Sequence, residues 1–426
     1  MWDITPILIL SDSGVYQRSR KISLMTRTRI IVFLITVAVV IGSGYLVSLY
    51  ARGYRFNEGK ISPNGLLVIK SAPDGAQVFI NGEFKTATNA TIPLSPATYD
   101  IKVEKQGYLP WSKRLVIEKE VVTEATAHLF KSAPSLSAIT LASAIKPVAS
   151  YDSTKIAYIV SPNTSNNSKD TQGLWIMEML NLPLGFSREP KRITDRDLTK
   201  ATFKWSPNGR EILLTTESGA YLLDSGVFTS QSQLVNIVNK KEIIEEEWLL
   251  EKEKILTAQV EKLPDELKDI IKRKTKAVSF SPDEDMIVYT ASQSGKLPEN
   301  LIKQLPGAST QKQERDIKKD HTYVYDIKED RNFLIDSNAS DLVIEGGYAT
   351  EAKRRLSWFP TSRHLILAEE DKITILDYDG TNRQIVYAGN YITPHTFPTL
   401  SIDRLIILTN LGATSTPSNL YSLSIK

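Results

Sequence analysis

Phe203-Lys204-Trp205-Ser206-Pro207-Asn208-Gly209-Arg210-Glu211-Ile212-Leu213-Leu214 sets the pattern on which the C-terminal bulk of the chain is built. An aromatic residue closes a short run, a Ser-Pro-Asn-Gly turn reverses the chain, and an apolar run follows. Proline presets one turn position, and Asn or Gly tolerates positive φ at another. The same order recurs at Val278-Ser279-Phe280-Ser281-Pro282-Asp283, leading into Met286-Ile287-Val288-Tyr289. It recurs again at Leu356-Ser357-Trp358-Phe359-Pro360-Thr361, leading into His364-Leu365-Ile366-Leu367. Each copy is followed by a further strand, at 220–224, 322–327 and 372–378, and weaker copies stand at 151–160 and 400–409.

The aromatic is expected to anchor the innermost strand of one sheet in its neighbour, while the next strand pairs back antiparallel. Copies at Trp205, Phe280 and Trp358, with insertions between them, suit a β-propeller whose plain blade runs to about 40–50 residues. These repeats resemble TolB-type, WD-like propeller repeats. Residues 131–426 leave room for five or six blades once the insertions are removed.

Three insertions interrupt the pattern. Residues 161–171 (SPNTSNNSKDT) read as a polar loop, and 295–320, rich in Lys and Gln, as a second. Residues 234–274 read as helical. Ile237, Ile244, Trp248 and Ile255 fall on one helix face, with Glu242, Glu245, Glu246 and Glu247 around the other. Pro264-Asp265-Glu266 opens a second helix that ends in Arg273-Lys274, as its dipole favours, with Leu267, Ile270 and Ile271 as its stripe. Such a hairpin either packs on its own propeller or projects as an arm that binds a partner.

Upstream, residues 65–130 have the pattern of a small β-domain. An apolar strand at 66–70 is turned by Ala72-Pro73-Asp74-Gly75, and Gln77-Val78-Phe79-Ile80 runs into Asn81-Gly82, a strong hairpin signal. Residues 99–104 alternate strictly, placing Tyr99, Ile101 and Val103 on one face. Pro73-Asp74-Gly75-Ala76, the following Val78-x-Ile80-Asn81-Gly82, the alternating strand and the Gly107-Tyr108 step together resemble the PEGA domain. Asp74 replaces the family's Glu, and Ala97 stands where a Gly usually precedes the alternating strand. The resemblance implies a compact β-sandwich of extracytoplasmic surface proteins, with no catalytic residues to transfer. Phe79, Tyr99 and Trp111 read as its core, with an exposed Trp111 in a carbohydrate platform as the alternative.

Residues 30–49 (IIVFLITVAVVIGSGYLVSL) hold no charge. As a helix they span about 30 Å, the hydrocarbon thickness of a bilayer. Residues 30–50 therefore read as a transmembrane signal-anchor, 1–29 as a basic cytoplasmic tail and 51–64 as a linker. Arg18, Arg20, Lys21, Arg27 and Arg29 precede the span, against Arg52, Arg55 and Lys60 after it, which places the N-terminus inside and the body outside. The rival reading is a cleaved signal peptide with Gly42-Ser43-Gly44 at its cleavage site. Against it, the apolar run continues through Leu46, Val47 and Leu49. Met25 offers an alternative start of translation.

The formal net charge is +3. The five basic residues before Ile30, set against Asp3 and Asp12, account for all of it, so the body is neutral and lacks the footprint of a nucleic-acid binder. The absence of cysteine excludes disulfides, thiolate catalysis and cysteine metal sites. No nucleophile elbow, phosphate loop, H-E-x-x-H or dinucleotide fingerprint is present. His128, His321, His364 and His395 are scattered without metal-ligand spacing, and His395, in Thr393-Pro394-His395-Thr396, is the best placed for a propeller mouth. The expectation is therefore a mainly β, membrane-anchored surface protein without catalytic, cofactor or metal residues. It would display a binding module to an envelope protein or glycan. A structural cell-surface-layer component, or an envelope hydrolase with its site in the propeller mouth, are the alternatives.

Overall fold

The turn that defines the repeat occurs five times in one geometry in the computed structural model, which describes residues 19–51, 54–57, 60–162, 171–179, 189–303, 306–344, 353–413 and 416–426. In every copy the fourth residue donates its N–H to the carbonyl of the first: Ser153 to Ser150, Gly209 to Ser206, Glu284 to Ser281, Ser362 to Phe359 and Ile402 to Thr399. Each of these fourth residues takes positive φ, from 53° at Ser153 to 65° at Gly209. In three copies the first residue is a serine whose hydroxyl accepts the N–H of the residue opening the next strand: Lys155, Glu211 and Met286. The weak copies at 151 and 400 are thus complete turns with the Pro-Asn signal worn away.

Ser153 occupies the left-handed region, which costs a non-glycine residue about 1–2 kcal/mol, and its side chain makes no hydrogen bond. After allowance for the freer unfolded chain, Ser153→Gly should raise stability by about 0.5 kcal/mol in urea titrations.

Five sheets follow from these turns among the described residues. Sheet A comprises Ile145–Ala149, Lys155–Val160, Gly173–Glu178 and Lys191–Thr194. Sheet B has only Thr202–Trp205, Glu211–Thr216 and Gly219–Asp224. Sheet C is Thr275–Phe280, Met286–Ala291, Thr322–Asp326 and Arg331–Asp336. Sheet D is Arg354–Trp358, His364–Glu369, Lys372–Asp377 and Gln384–Ala388, with Leu342–Ile344 added parallel on its inner edge. Sheet E combines Thr396–Pro398, Arg404–Thr409 and Asn419–Ser424 with Ser135–Ala138, a strand from the start of the domain. That last pairing ties the two ends of the domain into one sheet, as a propeller closes.

Apolar clusters join sheets A and B, C and D, D and E, and E and A. The anchoring role expected of the aromatics is visible directly. Trp205 Nε1 donates to Val148 O of sheet A at 3.0 Å, and Trp358 Nε1 donates to Ser279 O of sheet C at 3.2 Å.

The helical insertion is present as α2 (Lys241–Val260) and α3 (Asp265–Lys274). The stripe Leu267, Ile270 and Ile271 is buried with Val260 and Leu263 against Ile287, Tyr289, Tyr323 and Tyr325 of sheet C. The stripe expected on α2 does not form a core face. Ile244 and Trp248 are half-buried, Ile255 is exposed, and Val260 is the only buried residue of the helix. Helix α3 is thus packed on the propeller, while α2 is largely solvent-facing.

Residues 65–128 fold as a sandwich. Gly65–Ala72 pairs with Ala90–Leu94 and, in parallel, with Val122–His128. Glu83–Ala87, Gln77–Ile80, Ala97–Glu104 and Trp111–Ile117 form the second sheet. Ile101, Val103 and Trp111 are buried in its core, with Tyr99 packed on the rim. Phe79 is only half-buried, edge-on to the exposed Phe84.

Preceding the sandwich, α1 (Ser19–Ala51) extends back beyond the predicted span, and its stretch Arg27–Ala51 is long and apolar enough to cross a membrane. Thr36 and Ser43 donate their hydroxyls to Val32 O and Val40 O, so neither adds an unsatisfied group to an apolar surround. Within the stretch read as a linker, Tyr54–Asn57 and Lys60–Pro63 pair as a short hairpin. The tail to residue 18 and residues 163–170 of the polar loop lie outside the described residues.

Candidate interaction surfaces

Acidic and histidine side chains do converge in this protein, but at the junction between sandwich and propeller rather than in a propeller mouth. Lys113, on the last strand of the sandwich's second sheet, sends Nζ to 2.6 Å from Asp379 Oδ2 and 3.1 Å from Asp377 Oδ2. Both aspartates sit where sheet D turns between its last two strands, and their side chains are 7% and 0% exposed. Asp377 also accepts Trp111 Nε1 at 3.3 Å and Asn382 Nδ2 at 3.0 Å. Burial alone would push the Lys113 ammonium down. The charges of Asp377 and Asp379 outweigh it and hold the pKa above the usual lysine value.

Two of the predicted histidines meet beside this pair. His128 and His364 stand edge to face with ring centroids 4.7 Å apart, capped by Phe130 and Phe359. Burial lowers His128 to about 4 and His364 to about 3, with the Lys113 charge adding to the second effect. His364 Nε2 lies 3.5 Å from Asp377 Oδ1, a polar contact of a neutral ring. Peptide hydrogen bonds extend the seam: Ser112 N to Asn382 Oδ1, Gln384 Nε2 to Pro110 O, and Lys131 N to Ile425 O. The cluster is closed to solvent and its acids are already matched by Lys113, so it can fasten but has no room for a substrate.

Its histidines bind fewer protons folded than unfolded between pH 6.5 and 4, so the stability they confer is present above the unfolded pKa and lost on acidification. Each can account for up to about 1.4 kcal/mol per pH unit in that window. Urea titrations at pH 7, 5.5 and 4 should show stability falling, and His364→Gln should flatten the slope.

The remaining candidates stay apart. His395 is half-buried and stacked on Phe397, over whose ring the Arg355 guanidinium lies, and burial takes it to about 4. His321 stacks on Tyr323 and faces Lys319 O. Trp111, 2% exposed, is core and forms no carbohydrate platform. Among the described residues no group of three or more His, Asp or Glu side chains could hold a metal ion.

The five repeated turns share one end of the propeller, because each joins an inner strand to the second strand of its sheet. At that end the sandwich sits on sheet D, through His364 and the Asp377–Asn382 turn. Helix α2 lies over the same end elsewhere. Glu245 pairs with Lys204 of sheet B at 2.9 Å, Lys252 stands over the Tyr151 ring of sheet A, and Gln259 donates to Glu284 of sheet C at 3.0 Å. Sequence reasoning missed Lys113 and its aspartates because no local signal joins residues 264 positions apart.

No curated protein matches the chain. Among solved structures, TolB of Acinetobacter baumannii shares 12% identity over 76% of this chain, with a TM-score of 0.20. The chain spans 60% of that protein's length. The propeller domain of Cps50 (Swd1) from Myceliophteria thermophila shares 12% identity over 68% of this chain and 73% of its own, with a TM-score of 0.18. The sandwich, matched over residues 64–133, is a PEGA domain.

Proposed function

We propose that this is a single-pass membrane protein whose tail (1–29) is cytoplasmic, whose span covers 30–50, and whose linker (51–64), PEGA domain (65–130) and propeller (131–426) stand outside the cell. In this reading the propeller is a non-catalytic platform that binds an envelope protein or glycan. The observation that carries it is the buried Lys113 junction. A display platform must hold its binding face at a set angle to the anchor, and a dry, charge-matched seam does this where a flexible tether would not.

The seam also supports an orientation. The strand Gly65–Ala72 lies parallel to Val122–His128, with Ala72 beside His128 at sheet D and Gly65 at the other end, where the chain arrives from α1 and Gly307 of the propeller packs on Val122. Because the sandwich that follows the anchor is seated on the turn end, this reading turns that end toward the membrane and presents the opposite end outward. A propeller end is broad enough to bind a partner without catalytic groups. The test is affinity capture from envelope extract with the detergent-solubilised full chain. A defined protein or glycan should be enriched, and its recovery should fall when exposed outward residues such as Glu217 and Glu370 are substituted. A repeated failure to enrich either class would contradict the reading.

A further inference from the structure

We infer that the face of α2 turned away from the propeller is a docking surface for a cationic amphipathic helix of a partner protein, a second surface at the turn end that goes beyond the outward-end reading. Glu245, Lys252 and Gln259, the residues that touch the propeller, lie seven apart and so share one helix face. At 100° per residue the opposite face carries Ile243 and Leu250, and these two side chains are 57% and 48% exposed.

The patch is not scattered surface hydrophobicity. Setting α1 aside, nine of the seventeen large apolar side chains left exposed among the described residues fall between Leu222 and Ile255. Of these, Ile243 and Leu250 stand about two turns apart on the same exposed face of α2. A helix of 20 residues is about 30 Å long and marginal on its own in water, so a partner along it adds stability as well as contact.

Charge selects the occupant. Among the described residues Glu242, Glu246, Glu247, Glu251 and Glu253 make no ion pair, in a body that is neutral overall. Glu242 with Glu246 and Glu247 with Glu251 are like-charge pairs at i,i+4, which weaken the helix they stand on. A second copy of α2 would bring more negative charge to the same face, and an anionic bilayer would be repelled by it. Lys or Arg flanking an apolar stripe relieves the repulsion while the stripe covers Ile243 and Leu250, in the helix-on-helix mode of recognition.

The test uses the full chain in detergent and two labelled 20-residue peptides with the same leucine stripe, one flanked by lysines and the other by glutamates. Fluorescence anisotropy should show the lysine peptide binding about tenfold or more tightly than the glutamate peptide, with affinity falling as salt rises. The double variant I243K/L250K, altered only at exposed positions, should keep its circular dichroism spectrum and lose about tenfold in affinity. Equal binding of the two peptides, or binding untouched by the variant, overturns the inference. So does sedimentation of the wild-type chain as a dimer that the variant abolishes, or binding to phosphatidylcholine vesicles that the variant removes. Retained capture of an envelope partner by I243K/L250K, alongside failure with the peptides, would sink this inference and leave the outward-face reading standing.

Discussion

Lys113→Met should destabilise the protein by about 3–5 kcal/mol and uncouple the PEGA domain from the propeller. The side chain is 11% exposed and faces two aspartates that are essentially out of water. Methionine keeps most of the volume but leaves Asp377 and Asp379 as buried, uncompensated charges. Asp379 retains the N–H and hydroxyl of Thr381, and Asp377 retains Trp111 and Asn382. Neither set of donors replaces a full positive charge. The junction should therefore open before either domain melts, and differential scanning calorimetry should resolve two transitions where the native chain gives one. The triple variant K113M/D377N/D379N removes the stranded charges and should recover much of the loss. A single unshifted transition in K113M would show that the ion pair does not join the domains.

Trp358→Ala should cost about 3–5 kcal/mol, because the indole is 4% exposed and packs with Met286, Val288 and Val324 across the boundary between sheets C and D. Removing it opens a cavity and strips Ser279 O of its donor. Trp358→Phe separates the two effects. It restores most of the packing, and its remaining deficit of about 1 kcal/mol is the hydrogen bond. Trp205 stands in the same register against Val148 O, so Trp205→Ala should behave alike. Urea titration midpoints that scarcely move would mean that the repeated tryptophan does not lock neighbouring sheets.

What the sequence disclosed follows physical locality. The Ser-Pro-Asn-Gly turn at 206–209 and the alternating strand at 99–104 are encoded within a few residues, and both stand where expected. Asn81-Gly82 likewise forms its hairpin turn, with both residues at positive φ. The turns at 150–153 and 399–402 are only weakly visible, because Tyr151 and Leu400 stand where the strong copies carry Pro207, Pro282 and Pro360. The helix pattern at 234–274 gave the hairpin, but periodicity could not tell which apolar residues find a partner. The stripe on α3 is buried by sheet C, whereas Ile244 and Trp248 are half-buried and Ile255 is exposed. The junction was illegible for a different reason. Trp111-Ser112-Lys113 and Asp377-Tyr378-Asp379 carry ordinary strand and turn signals, and only the tertiary fold sets one against the other.

The account turns on a stiff platform held outside the cell by a single helix. Because the chain contains no cysteine, one introduced thiol reports one position. Glu370→Cys, on an exposed turn at the outward end, and Thr28→Cys, on the helix just before the apolar run, can each be challenged in intact cells with a membrane-impermeant maleimide. The account predicts that Glu370→Cys is labelled at once and Thr28→Cys only after lysis. Labelling of Thr28→Cys in intact cells, with Glu370→Cys protected until lysis, would contradict it.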